Sequence, residues 1–126
     1  MTRIVEIKMQ VTFPQPDKMN LVAYFLRDMF RSRLENKKAQ DLARRMEATI
    51  LFDASGMQAC VTFKGDDIEI TSSAPGKIDA RISGDLSTLL DIALGANYFM
   101  LIARRKVIIA GNLTKLLMLV KLLNVK

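Results

Sequence analysis

The stretch ATILFDASGMQACVTFKGDDIEI, residues 48–70, decides the fold. Short β-rich segments at 49–52, 58–63 and 68–71 are separated by Asp53-Ala54-Ser55-Gly56 and by Lys64-Gly65-Asp66-Asp67. Gly-bearing turns between such segments are the signature of antiparallel hairpins. A further turn, Ser72-Ser73-Ala74-Pro75-Gly76, leads to another candidate strand at 78–82. The middle of the chain is therefore predicted to be a β-meander.

On the N-terminal side, Val5, Ile7, Met9, Val11 and Phe13 alternate with Glu6, Lys8, Gln10 and Thr12, which predicts a half-buried strand over 3–13. Pro14 and Pro16 stop it, and Asp17 is placed to cap a helix over 18–35. Leu21, Val22, Phe25, Leu26, Met29 and Phe30 recur there at helical spacing, and Asn36 is read as the end of the helix. A second helix, 37–47, has Ala39, Leu42, Ala43 and Met46 on one side and Lys38, Arg44 and Arg45 on the other.

On the C-terminal side, Ile82-Ser83-Gly84-Asp85-Leu86 and Ile109-Ala110-Gly111-Asn112-Leu113 repeat one pattern. A Gly ends a strand, and an Asp or Asn caps the helix that follows by accepting from an orphan backbone N–H. Single glycines and an acidic cap disfavour phosphate binding at these helix starts. Helices are expected at 85–94, 97–103 and 113–123, with a strand at 107–110. The last helix carries Leu113, Leu116, Leu117, Leu119, Val120, Leu122 and Leu123 around most of its circumference. Such a helix is buried, meets a membrane or faces an apolar ligand.

A chain of 126 residues, 50% hydrophobic and 25% charged, has the balance of one globular domain. It contains no His and a single Cys. That excludes Ser–His or Cys–His catalytic pairs, His-ligated metals, multi-thiolate clusters and an internal disulfide. Cys60 reads as a buried, inert thiol, Asp66-Asp67 as a solvated turn, and Asp79 and Arg81 as a pair on one strand face. Without a base or nucleophile constellation the chain is expected to be no enzyme and to need no cofactor. Arg3, Glu6 and Lys8 argue against a signal peptide, no apolar run reaches the roughly 18 residues of a membrane span, and a cytoplasmic location is expected.

Net charge is +6 but uneven: +4 over residues 1–47, −4 over 48–96 and +6 over 97–126, where six basic residues meet no acid. A basic, apolar tail suits transient contact with an anionic membrane, or else its cations only keep an oily tail soluble. Nucleic acid is not expected as a partner, because no recognition motif or stacking aromatics accompany the charge.

Residues 48–70, KIDARISGDLSTLLDIALGA (77–96) and RRKVIIAGNLTKLLMLVKLL (104–123), taken in order, resemble the sterol carrier protein type 2 family over about residues 37–124. Arg104-Arg105 stand where the family usually has a Gly before the last strand, and residues 1–36 look like an N-terminal extension. The resemblance implies a single α+β domain over 1–126, with a mostly antiparallel sheet of five to six strands covered by about five helices. It also implies an apolar tunnel between sheet and helices for a sterol, fatty acyl chain or similar lipid.

On that resemblance the candidate lining is Phe25, Leu26, Met29 and Phe30; Leu90, Ala93 and Leu94; Phe99 and Leu101; and Leu117, Val120 and Leu123. The same side chains would close-pack as core in a protein without a cavity. Arg104, Arg105 and Lys106 are candidates for headgroup or membrane contact. A different reading buries the same apolar helices in a homodimer or against a protein partner.

Overall fold

The structure, a computed structural model, describes residues 9–74, 76–85, 87 and 107–123. Its centre is the hairpin of β2 (Thr49–Ala54) and β3 (Met57–Lys64), paired from Thr49↔Thr62 to Ala54↔Met57. Ser55 and Gly56 turn it with φ of 54° and 92°, the two positive values a two-residue hairpin loop of this kind needs. Gly56 N–H donates to Asp53 Oδ1 at 3.0 Å. β4 (Asp67–Thr71) follows antiparallel to β3, as the turn at Gly65 predicts.

From here the meander fails. β5 (Ala80–Gly84) does not fold back on β4 but pairs in parallel with β2, and β6 (Val107–Gly111) pairs antiparallel with β5. The first strand, β1 (Gln10–Thr12), adds to β4 in parallel. The six-stranded sheet thus runs β1-β4-β3-β2-β5-β6 and is mixed, with two parallel and three antiparallel pairings, rather than mostly antiparallel. Residues 72–79 cross three strand spacings, on the order of 14 Å, because Thr71 lies level with Arg81 through Cys60 and Leu51. Eight residues reach about 26 Å at full extension, so the crossing leaves slack. A Ser-Ser-Ala-Pro-Gly run looks like a tight turn in sequence, yet it also serves a crossover between two strands that run the same way.

Strand alternation sorts the sheet into two faces. Val11, Ile50, Phe52, Ala54, Ala59, Val61, Phe63, Ile68, Ile70, Ala80 and Ile82 share one face, and all are buried there. α1 (Leu21–Arg33) packs over β1, β4 and β3, α2 (Lys37–Met46) over β3, and α3 (Leu113–Leu123) beside α2 and over β5. The helices expected at 85–94 and 97–103 and the start of the first strand lie outside the described residues.

Helix starts follow the asparagines. Pro16–Lys18 forms one 3-10 turn, and α1 is capped not by Asp17 but by Asn20, whose side chain accepts from Ala23 N–H at 3.0 Å. Asn20 Nδ2 also donates to Gln58 O at 2.9 Å, so the cap anchors the helix to β3, a preference that helical periodicity cannot express. Asn36, read as the end of α1, caps α2 by accepting from Lys38 N–H at 2.8 Å. Phe30 of α1 meets Phe63 edge-on at 5.6 Å, and Ala39 and Ala43 of α2 are wholly buried. Asn112 caps α3 as expected, accepting from Lys115 N–H at 3.2 Å. The Lys115 ammonium donates to the Met46 carbonyl, placing a cation at the negative end of α2.

Asp79 and Arg81 do not pair. Asp79 precedes β5, and its carboxylate accepts from Thr49 N–H at 2.8 Å, while Arg81 Nη2 donates to Asp53 Oδ2 at 3.0 Å. The Asp79 carbonyl accepts from Asn112 N–H at 2.8 Å. Gly111, at φ +106°, lies so close that a Cβ there would stand 2.4 Å from that carbonyl oxygen and 2.7 Å from Ala80 Cα. Gly111→Ala is expected to lower stability by about 2–3 kcal/mol, read from the midpoint of urea unfolding, since it adds both backbone strain and a collision with main chain.

Candidate functional site

The inner layer is built from the covered sheet face and the undersides of three helices. On the sheet, Phe52 and Ile82 are 4% and 9% exposed, flanked by half-buried Met57 and Ile109 that pack against the core. On α1, Val22, Ala23, Leu26 and Phe30 form the buried stripe. One flank of that stripe faces β1, where Arg27 lies over the rings of Phe13 and Tyr24 at 5.1 and 5.0 Å. The opposite flank, turned toward the β2–β5 half of the sheet, carries half-buried Phe25 and Met29. On α3, Leu116, Leu119 and Leu122 point inward, Val120 is half-buried, and Leu113 and Leu117 are 66% and 58% exposed.

The proposed lining therefore divides. Leu26 and Phe30 are close-packed core, Phe25, Met29 and Val120 sit at the margin of the interior, and Leu117 faces outward. Leu90, Ala93, Leu94, Phe99 and Leu101, the Leu123 side chain, and Arg104, Arg105 and Lys106 lie outside what the structure describes. Attention to helix faces missed the strand contributions of Phe52, Met57, Ile82 and Ile109. Their period-two spacing was the available signal.

All of these described inward groups are apolar, so the layer offers shape and area rather than polar contacts. The charged groups sit elsewhere. Arg44 Nε donates to Asp66 Oδ1 at 2.6 Å, tying α2 to the β3–β4 turn rather than leaving Asp66 solvated. Hydrogen bonds from the Gln58 amide and Gly56 N–H, with Arg81 beside them, hold Asp53 below the usual carboxylate range. Cys60 pairs with Leu51 across the hairpin on the sheet face opposite α1, α2 and α3, and both are buried. Burial pushes the Cys60 thiol up to about 11, which leaves it almost without nucleophilic thiolate at neutral pH. Among the described residues no group of His, Cys, Asp and Glu is placed to hold a metal ion, and no helix is long and apolar enough to cross a membrane.

The sequence matches the SCP-2 sterol transfer family over residues 28–124, and the chain belongs to that family. The match begins inside α1, earlier than the expected start at 37. Similar solved structures share the fold at low identity. A UbiJ-SCP2 ubiquinone synthesis protein superposes with a TM-score of 0.67 at 15% identity, covering 82% of this chain and 94% of its own. The sterol carrier protein domain 2 of Helicoverpa armigera gives 0.66 at 15% identity, covering 89% and 91%. Sterol carrier protein 2 from Yarrowia lipolytica, in its apo form, gives 0.62 at 18%, covering 82% and 87%. No curated protein sequence matches the chain. Lipid binding and transfer is the general function that the family supports.

Cys60 is expected to resist a disulfide-exchange reagent in the native protein at neutral pH and to react only as fast as the chain unfolds, followed by absorbance with and without denaturant. Rapid stoichiometric labelling of the folded protein would contradict its burial.

Proposed function

We propose that this chain is a non-catalytic carrier that holds one single-chain or sterol-like lipid between the covered sheet face and its helices, and releases it to an acceptor. The observation that carries this reading is the half-buried apolar margin. Phe25 and Met29 on α1, Met57 and Ile109 on the sheet and Val120 on α3 are half-buried beside a fully buried core. In a family that carries lipids, such side chains are the ones a bound chain would cover. Leu90, Ala93, Leu94, Phe99, Leu101 and Leu123 complete the proposed lining, Arg104, Arg105 and Lys106 are assigned to the headgroup, and Leu117 is excluded by its exposure.

The energetics suit a carrier. About ten methylenes buried at about 0.8 kcal/mol each supply the roughly 8 kcal/mol of a micromolar complex, with no polar anchor. Methionines at Met29 and Met57 adapt to ligand shape, since their unbranched side chains change rotamer cheaply. Affinity drawn from area alone also leaves release accessible.

The protein as purified is expected to carry extractable lipid and to take up a fluorescent fatty acid with low micromolar affinity. Phe25→Arg and Val120→Arg should each weaken uptake about tenfold or more while circular dichroism stays unchanged, because either places a charge where the apolar chain would lie. Failure of the wild-type chain to bind any apolar probe would end the carrier reading.

A further inference from the structure

We infer that the outward faces of α2 and α3 together form a docking surface for an anionic lipid bilayer. Leu113 and Leu117, one helical turn apart, are 66% and 58% exposed. A single exposed leucine is ordinary, whereas an apolar stripe beside cations on an amphipathic helix is the pattern of interfacial binding. Lys121 is exposed one turn beyond Leu117.

Because α2 and α3 pack side by side over the same sheet face, their unburied sides look in the same direction. On α2 that side presents Lys37, Lys38 and Arg45, all exposed. The Lys115–Met46 hydrogen bond brings the end of α2, where Arg45 lies, against the first turn of α3. The acids nearby are Asp41, within 3.8 Å of Arg44, and Glu47, which closes α2. Neither lies on α3, which has no acidic residue at all. The surface thus joins two leucines that can enter the acyl boundary to several cations at the depth of phosphate headgroups, and this complementarity selects an anionic membrane. Ile108, also exposed, is on the opposite sheet face and takes no part.

This surface would let a carrier exchange its cargo at a membrane, but the inference rests on exposed residues only and is tested without cargo. The full chain is mixed with vesicles of phosphatidylcholine alone or with phosphatidylglycerol added, and bound protein is measured by sedimentation at low and high salt. Binding is expected only to the anionic vesicles and should fall with salt. Leu113→Ser/Leu117→Ser and Lys38→Glu/Arg45→Glu/Lys121→Glu should each reduce it at least about tenfold while fatty-acid uptake in solution is unchanged. Vesicle binding by either variant undiminished from the wild type, or no binding by the wild type at low salt, would overturn the inference. So would a dimer in analytical ultracentrifugation that dissociates in the leucine variant while vesicle binding is absent, since a second copy would then be the occupant. Fatty-acid uptake is the separate readout that reports on the carrier reading.

Discussion

The fold depends on one backbone junction. Asp79 exchanges main-chain and side-chain bonds with Thr49, donating its own N–H to the Thr49 carbonyl and accepting the Thr49 N–H at its carboxylate, both at 2.8 Å. Its carbonyl then receives the N–H of Asn112, the cap of α3. Three distant pieces of chain meet at this point: the start of β2, the start of β5 and the passage from β6 into α3. Only a residue without Cβ fits at 111, because the Asp79 carbonyl occupies that space. The parallel β2–β5 register, and with it the position of α3 over the sheet, follows from this contact.

With that register set, the inner layer has a fully buried centre and half-buried apolar groups at its edges. Toward β1 and β4, Phe30 packs against Phe63, Ala39 and Ala43 admit close helix approach, and Arg27 lies over Phe13 and Tyr24. Half-buried apolar groups occur along the whole layer, at Met9 and Phe13 beside β1 as at Met57 on β3, Ile109 on β6 and Val120 on α3. Close packing transmits strain, so a binding region does best where packing is looser.

Much of this was legible in the residues. The two hairpins of 48–71, the second helix, the last strand and the closing helix come from turn chemistry and periodicity, and both are local. The cap at Asn112 was legible for the same reason. Asp17 misled because Pro16 and Asp17 make a good helix start in isolation, while Asn20 is preferred only once its amide can reach Gln58 on β3. The interior's lining was half legible. Helical periodicity marked Phe25, Met29 and Val120, but it also marked Leu117, which a helix leucine-rich nearly all round cannot avoid.

By itself, the sequence determined, among the described residues, where most strands and helices lie, which face of each strand is oily, that His- and thiolate-based chemistry is excluded, and the order of motifs that marks the family. Tertiary structure alone decided that β5 joins β2 in parallel, that β1 joins β4, that Arg81 takes Asp53 rather than Asp79, and which leucines of α3 face water. The reason is physical. Periodicity and capping act within a few residues, whereas a strand's partner and a helix's buried side are set by contacts between segments far apart in the chain.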